Sequence, residues 1–574
     1  MRRGAFAILL CAAPLLAAAP TQASPAAERA ALKEVVSSGA RASYGRGVVP
    51  LPLPEAPLSG ARAAAANRAG ASLARDTRPG RLLVGVRAHG DLPGVRAAIE
   101  RLGASAAAID SMGVLTVRAS SVAAVASGLR RDPRVAYVER DGTWKAADPF
   151  DAIDPNTGIS YDWAYGAVNA PDAIAAAGGG SQREVAVIDT GADTGHPDLA
   201  ARLANPFDTA TRGPDVTDNI GHGTFVTGLI SAVDGNGIGG RGVAGTTNVF
   251  PVRASLDGAF SVGDILDALE FTITSKADIA NLSLAGATVT RSQSRALAVA
   301  FLNDVLPVAA SGNHGRRMLE FPAAGLGGRK GRRGIGLSVA ATRPDGGHAE
   351  FSTFNDYVSV AAPGADQSGC SEGVLSTIPR NGGTIWDDSG SCSRVFGDAA
   401  SGRWAYAEGT SFAAPIAAGI SALVWQVEPR LASEQVAHVV TRSAHQTIPG
   451  KRWNQLTGRG VVDGRAATAL ARVYDVREPR VRARARRRGP RTIGVRLLRT
   501  RDRTEPGREL AGGVTYSVLK SSNNGRSYSF AVRPRRKPFR RRIRLRARRT
   551  LLVASVCDDN GNCSSRRLGR FRRR

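Results

Sequence analysis

Val185-Ala186-Val187-Ile188-Asp189-Thr190-Gly191 is a short apolar run that ends on a carboxylate and a turn. Four apolar residues in succession suit a strand buried on both faces, as in a parallel sheet. Asp189 then falls at the strand's carboxyl end, which is where an α/β sheet builds its sites. Val305-Leu306-Pro307-Val308-Ala309-Ala310-Ser311 reads as another buried strand and delivers Ser311-Gly312-Asn313-His314-Gly315 at its end. Two helices complete the pattern. Gly221-His222-Gly223-Thr224 opens one whose inner face carries Phe225, Val226, Leu229, Ile230 and Val233. Gly409-Thr410-Ser411-Phe412-Ala413-Ala414-Pro415 opens the other, with Phe412, Ile416, Ile420, Leu423, Val424 and Val427 on its buried face.

Ser411 stands at the positive end of its helix, with Pro415 in the first turn, where a missing N–H costs little. Its own backbone N–H is placed to bind an oxyanion. An N-cap serine is the plain alternative, and a lone histidine is more often a surface or core residue than a base. The three residue types together point to chemistry. A serine hydroxyl is a weak nucleophile until an imidazole takes its proton, and the imidazole needs a carboxylate to fix its tautomer and stabilise its charged form. Asp189, His222 and Ser411 supply this set in that chain order.

The order and the local strings Val-Ile-Asp-Thr-Gly, Gly-His-Gly-Thr and Gly-Thr-Ser-x-Ala-x-Pro resemble the subtilisin-like (subtilase) serine peptidases over roughly residues 150 to 472. The resemblance implies an α/β, subtilisin-like parallel sheet with helices on both faces, and a serine endopeptidase acting on protein or peptide substrates through an acyl-enzyme. It implies that Asn313 is the oxyanion-hole asparagine beside the Ser411 N–H. It also makes Ile279 to Ala285 similar to the family strand that pairs with the peptide substrate, with Ser283, Leu284 and Ala285 at its edge. Ala285 replaces a family glycine. Ala310 and Gly312, small and uncharged, would line a roomy apolar S1 pocket, the pocket for the residue on the acyl side of the scissile bond.

Asp198 matches a family calcium-ligand position, and the loop carrying Asn236, Ile238 and Gly240 resembles the family's ligand loop, with Asp162 standing where many members carry Gln. Hard oxygen donors suit a structural Ca²⁺, and a metal-free Asx/Gly-rich turn is the alternative reading.

The chain has 574 residues, 77 Lys+Arg against 49 Asp+Glu, and five cysteines. Residues 1–23 combine two arginines, the apolar run Ala5 to Leu16 and small residues before Ser24, the pattern of a secretory signal. A secreted, extracellular monomer is expected, with no apolar run after residue 23 approaching the ~20 residues of a membrane helix. Residues 24–79 read as a disordered lead-in. Residues 80–145 read as strand, helix, strand, helix, strand, which suits a small ferredoxin-like α+β unit. Asp132 to Asp141 resembles the end of the family's inhibitor propeptide, which implies a self-processing preproenzyme. Export favours oxidised cysteines, and nearness in sequence favours Cys370 with Cys392 and Cys557 with Cys563.

Charge divides the chain. Residues 473–574 hold 32 Lys+Arg against 7 Asp+Glu, and everything before them 45 against 42. Short alternating strands there predict a basic β-sandwich, with Arg542, Arg544, Arg546 and Arg548 on one face. Such a face suits an anionic cell-surface polymer, and a merely solvated basic face is the alternative. A catalytically silent subtilase that adheres through this domain is the competing whole-chain reading.

Overall fold

The computed structural model describes residues 77–146, 163–178, 182–234, 236, 238–364, 373–385, 395–448, 451–477, 479–500, 514–521, 529–558, 560 and 562–572. The signal segment, most of the lead-in, Asp162, Cys370 and Cys392 lie outside them. Two compact bodies are present: Val473–Arg574, and the rest of the described chain apart from Arg87–His89.

The larger body begins with β1 (Thr77–Val86), α1 (Leu92–Arg101), β2 (Ser105–Ile109), β3 (Val114–Arg118), α2 (Val122–Leu129) and β4 (Val135–Ala146). These strands form an antiparallel sheet in the order β4-β1-β3-β2. This is the expected ferredoxin-like unit with one strand more, because Ser-Ala-Ala-Ala-Ile at β2 lacks the branched residues that mark a strand. β1 also starts inside the stretch read as lead-in.

The central sheet is parallel throughout, in the order β13-β12-β11-β9-β5-β7-β6. Its members are β5 (Glu184–Asp189), β6 (Phe207–Asp208), β7 (Asn248–Arg253), β9 (Ile279–Leu282), β11 (Leu306–Ala310), β12 (Leu337–Thr342) and β13 (Val360–Pro363). β8 (Ala259–Ser261) and β10 (Leu284–Ala285) are short edge strands outside it. The connections run from β5 outward to β7 and then back across to β9, so the order reverses between β5 and β9. That reversal opens a crevice at the carboxyl edge.

Helix α3 (His222–Ser231) packs on β5 and β7, α4 (Val262–Thr274) on β5 and β9, and α5 (Arg291–Leu302) on α4 and β11. β14 (Val374–Ile378), β15 (Val395–Asp398) and β16 (Gly402–Ala407) make a small antiparallel sheet against α3. Helix α6 (Thr410–Val427) crosses β9, β11, β12 and β13 beside α3. It is apolar and long enough to span a membrane, but 94% of it is buried inside the protein, as a core helix.

The N-terminal unit docks on this body through carboxylates at helix starts. Glu139 accepts from the N–H groups of Arg291 (3.1 Å) and Ser292 (2.9 Å) at the start of α5. Asp141 accepts from Gly263 N–H (2.8 Å) at the start of α4. Each places a negative charge on the positive end of a helix. In return Glu270 of α4 accepts from Ser111 N–H (3.2 Å) and pairs with the Ser111 hydroxyl.

The second body is a two-sheet sandwich. β17 (Ala483–Gly489), β18 (Thr492–Leu497), β19 (Thr515–Ser521), β20 (Ser529–Arg535), β21 (Arg540–Arg544), β22 (Arg549–Cys557) and β23 (Cys563–Arg572) form sheets β17-β18-β21 and β20-β19-β22-β23. Ile493, Val495, Leu497 and Ile543 from the first meet Tyr516, Val518, Leu552 and Val556 from the second. β17 and β23 were hidden in runs of arginine, and β21 ends at Arg544, short of Arg548. Cys557 is disulfide-bonded and stands opposite Cys563 across the β22/β23 pair.

Burial pushes the Glu270 carboxyl up to about 7, with Asp110 and Asp267 adding to the rise and the Ser111 N–H and Arg212 opposing it. A carboxyl raised in the docked state binds its proton more tightly there, so docking is strongest at acid pH and weakens as pH rises toward and past 7. The amide of Ser111 should therefore lose hydrogen-exchange protection between pH 5 and 8, and Glu270→Gln, which cannot ionise, should flatten that dependence. Protection that is level with pH in the unaltered protein would remove Glu270 from the docking balance.

Candidate active site

Asp189 closes β5 with no solvent exposure, and its Oδ1 accepts from Thr190 N–H (2.8 Å). The same oxygen is 2.7 Å from His222 Nδ1, so the ring's Nδ1–H donates to it and Nε2 is the nitrogen left to act as base. The start of α3 is held by Asp218, a buried carboxylate that the sequence reading missed. Its oxygens accept from Gly221 N–H (2.8 Å), Thr224 N–H (2.8 Å), Thr224 Oγ1 (2.7 Å) and Thr190 Oγ1 (2.8 Å). Thr190 Oγ1 in turn accepts from Gly223 N–H at 2.9 Å. An aspartate four residues before a Gly-His helix start is a capping signal in the sequence. It fixes the His222 helix to the very strand that carries Asp189.

Ser411 lies in the first turn of α6. The next residue, Phe412, has its ring centroid 5.6 Å from that of His222, so the serine and the imidazole share one cluster. Ser411 Oγ is 3.3 Å from Ser283 O, and Ser283 Oγ donates to Ser411 O at 2.6 Å while accepting from Asn281 Nδ2 at 3.0 Å. The edge Ser283-Leu284-Ala285 is thereby tied to the nucleophile's helix.

Asn313 follows β11. Its Oδ1 accepts from Thr410 N–H (2.9 Å) and Thr410 Oγ1 (2.7 Å), and a backbone N–H can only donate, so the amide orientation is fixed. Asn313 Nδ2 is buried with no hydrogen-bond partner among the described residues. An orphaned donor normally costs about 1–3 kcal/mol. At a site, such a group is available for charge that develops on the reacting atoms. Gly409 sits beside it with φ of 151°, and a Cβ there would come within 3.3 Å of Asn313 Nδ2. Glycine keeps the donor uncovered.

The crevice between β8 and β10 contains a strand of the protein itself. β4 runs antiparallel to β10, with Ala146 opposite Leu284 and Lys145 opposite Ala285, and antiparallel to β8, with Thr143, Trp144 and Lys145 opposite Ser261, Phe260 and Ala259. Of the residues expected to line the S1 pocket, Ala310 is buried at the end of β11 and Gly312 has φ of 102°. A Cβ on Gly312 would fall 2.1 Å from the Glu320 carboxyl carbon. The pocket expected to be apolar thus has a carboxylate against its wall.

Asp198, Asn236, Ile238 and Gly240 do come together, but as a hydrogen-bonded turn. Asp198 accepts from Asn236 Nδ2 (2.7 Å) and Trp404 Nε1 (3.0 Å), with the Gly240 N–H adding a third donor, and Asn236 Oδ1 accepts from Ile238 N–H (3.0 Å). N–H groups occupy the positions a cation would need, so the donor set as arranged does not fit Ca²⁺. No cluster of three or more His, Cys, Asp or Glu poised for a metal occurs among the described residues. Trp404, which the sequence reading did not single out, supplies one of these donors.

The family model described as the subtilase family (Peptidase_S8) matches residues 180–460. Alkaline elastase YaB from Bacillus sp. (strain YaB) is 30% identical over 341 residues, covering 59% of this chain and 76% of the relative. Thermophilic serine proteinase from Bacillus sp. (strain AK1) is 31% identical over 333 residues, 57% of this chain and 73% of the relative. Subtilisin BL from Lederbergia lenta is 33% identical over 310 residues, 54% of this chain and 99% of the relative.

Trp404→Phe removes one of three donors from a buried carboxylate and should cost about 1–3 kcal/mol of stability. Thermal melting checks this, and the same assay checks the metal. A melting temperature that is indifferent to millimolar calcium and to chelator agrees with the N–H cluster, whereas one that climbs with calcium would mean a cation displaces those donors.

Proposed function

This chain belongs to the subtilase family, and from that premise we propose that it is a secreted subtilisin-like serine endopeptidase whose triad is Asp189, His222 and Ser411. That it is a subtilisin-like serine peptidase follows from the family match and from relatives at 30–33% identity. The observation that carries the assignment of residues is the buried Asp189–His222 bond set beside Phe412, with the orphaned Asn313 amide across from it.

In this reading His222 Nε2 takes the Ser411 proton as Oγ attacks the peptide carbonyl, and Asp189 stabilises the imidazolium through Nδ1–H. Asn313 Nδ2 and the Ser411 N–H bind the oxyanion of the tetrahedral intermediate. The imidazolium then protonates the leaving amine, and water repeats the cycle on the acyl-enzyme.

Residues 77–146 act as an inhibitor propeptide. Three features support this: β4 fills the strand position along β10, the unit docks through helix-terminal carboxylates, and it lies directly before the peptidase region. Self-processing would cut just after Ala147, the residue that follows Ala146 and in this register would stand opposite Ser283. Secretion rests on the signal-like residues 1–23 and on the disulfide at Cys557.

The sandwich is an anion-binding module. Arg484, Arg496 and Arg540 stand in one cross-strand row, and Arg486, Gly494 and Arg542 in the next, all exposed apart from the half-buried glycine. Like charges directly opposite one another destabilise a sheet, which a polyanion would relieve. The carboxylates of Asp475 and Asp558, the described ones in this body, are buried away from that face.

Ser411→Ala should abolish hydrolysis and leave residues before 148 attached in a host without related peptidases, as read by mass spectrometry of the termini. Normal processing of that variant would end the self-cleavage proposal. Asn313→Ala should lower kcat by about 100- to 1,000-fold with little change in KM, and an unchanged kcat would remove it from the site. Replacing Arg496, Arg540 and Arg542 with Gln should bring elution from a sulfated-polysaccharide resin to lower salt, since exposed charges are screened beyond ~8 Å at physiological ionic strength. Unchanged elution would leave those arginines a solvated face.

A further inference from the structure

Glu320 is a carboxylate beside two segments, 283–286 and 310–313, that contain no charged residue. The residue is only 2% exposed. Phe321, its neighbour, is bonded in both directions to Gly286, through N–H to O contacts of 2.9 and 2.8 Å, just past the edge strand β10. On its other side lies Gly312, whose added Cβ would meet the carboxyl carbon at 2.1 Å. The carboxylate therefore sits between the segment Ser283 to Gly286 and the segment Ala310 to Asn313, the same two segments that hold Ser411 and Asn313 in position.

Its two oxygens differ. Oε1 accepts from Thr353 Oγ1 (2.5 Å) and from His314 Nδ1 (2.9 Å). Oε2 accepts no hydrogen bond among the described residues. One oxygen of this carboxylate is thus left for a cationic or donor group to complete. His314 is a weak partner for that purpose, because its side chain is 55% exposed and it is charged only when protonated. Of the two arginines in the loop, Arg317 is paired with Asp356, and among the described residues no ion pair joins Arg316 to Glu320.

We propose that Glu320 determines substrate specificity: its carboxylate is the floor of the S1 pocket and binds the guanidinium or ammonium group of an arginine or lysine on the acyl side of the scissile bond. A strand lying on β10 in the register of β4 presents its next residue to Ser283, and Ser283 O lies 3.3 Å from Ser411 Oγ. That residue is the one whose carbonyl the serine attacks. Its side chain enters between the two segments, where Ala310 and Gly312 leave width, and a long cationic side chain reaches the carboxylate at the bottom. Arginine suits it best, since a planar fork can satisfy Oε2 and share Oε1. Ala147 follows Ala146 in the sequence, so self-processing would proceed without this contact, as an intramolecular reaction can.

The proposal rests on the peptidase reading, and one experiment separates the two. The full chain, expressed and allowed to mature, is assayed on a peptide series that differs only in the acyl-side residue: arginine, lysine, citrulline, alanine and phenylalanine. Citrulline matches arginine in shape without the charge. The expected result is a kcat/KM for arginine about tenfold or more above that for citrulline, the scale on which a site built for a polar group rejects its lacking analogue. Glu320→Gln should bring that ratio close to one, chiefly by raising KM for arginine, and Glu320→Asp should keep part of the preference. Benzamidine should inhibit alanine-peptide hydrolysis competitively in the unaltered protein, which reads the site even where a variant fails to fold. Equal rates on arginine and citrulline, or a ratio that survives in a folded Glu320→Gln, overturn the proposal, while alanine hydrolysis leaves the peptidase reading standing. Failure to cleave any of the five, together with no fluorophosphonate labelling of Ser411, overturns both.

Discussion

The 2.7 Å hydrogen bond between Asp189 and His222, both without solvent exposure, joins the centre of the parallel sheet to the helix that carries the imidazole. Most of the site's geometry follows from keeping that bond in place. Asp189 is fixed because β5 pairs on both sides, with β7 and β9. His222 is fixed because Asp218 and Thr190 bind the first N–H groups of its helix. A buried carboxylate is tolerable only with donors on it, and here the donors are the His222 imidazole and a backbone N–H. The polar group that would otherwise destabilise the core is what orients the imidazole.

Ser411 and Asn313 reach the same point by a second route. Helix α6 is buried along nearly its whole length against four strands, so its first turn cannot shift without disturbing the core. Thr410 then ties Asn313 to that turn, using both of its donors on one amide oxygen. This arrangement spends the acceptor side of Asn313 on structure and leaves the donor side for chemistry. Thr410 thus fixes which way the Asn313 amide points.

Much of this was legible in the sequence because the signals are local. An apolar run ending in Asp189, a Gly-Thr-Ser helix start and a Ser-Gly-Asn strand end each declare their role within seven or eight residues. The ferredoxin-like unit was legible for the same reason, except for β2, whose alanines fit helix and strand alike. Glu320 and Trp404 were not legible. Met318-Leu319-Glu320-Phe321 carries no motif, and only the pairing of Phe321 with Gly286 and the close approach of Gly312 bring the carboxylate to the pocket. Trp404 lies more than 200 residues from Asp198, and the indole can be recognised as its partner only once β16 is in place. The calcium expectation rests on the residue types of one loop, while the indole that reaches Asp198 comes from a distant strand.

Under the proposed reading, the strand between β8 and β10 and the carboxylate beside it together bear on how one body would be both inhibited and selective. β-Augmentation along β8 and β10 uses main-chain hydrogen bonds, which any extended peptide can make, including this protein's own β4. Such pairing gives affinity with little discrimination. A charged group at the pocket floor discriminates, but it adds nothing to the pairing. Separating the two functions lets a segment with alanine at its end hold the cleft by backbone contacts and helix-terminal carboxylates, while the choice among outside substrates is left to a side chain that the segment does not need to satisfy.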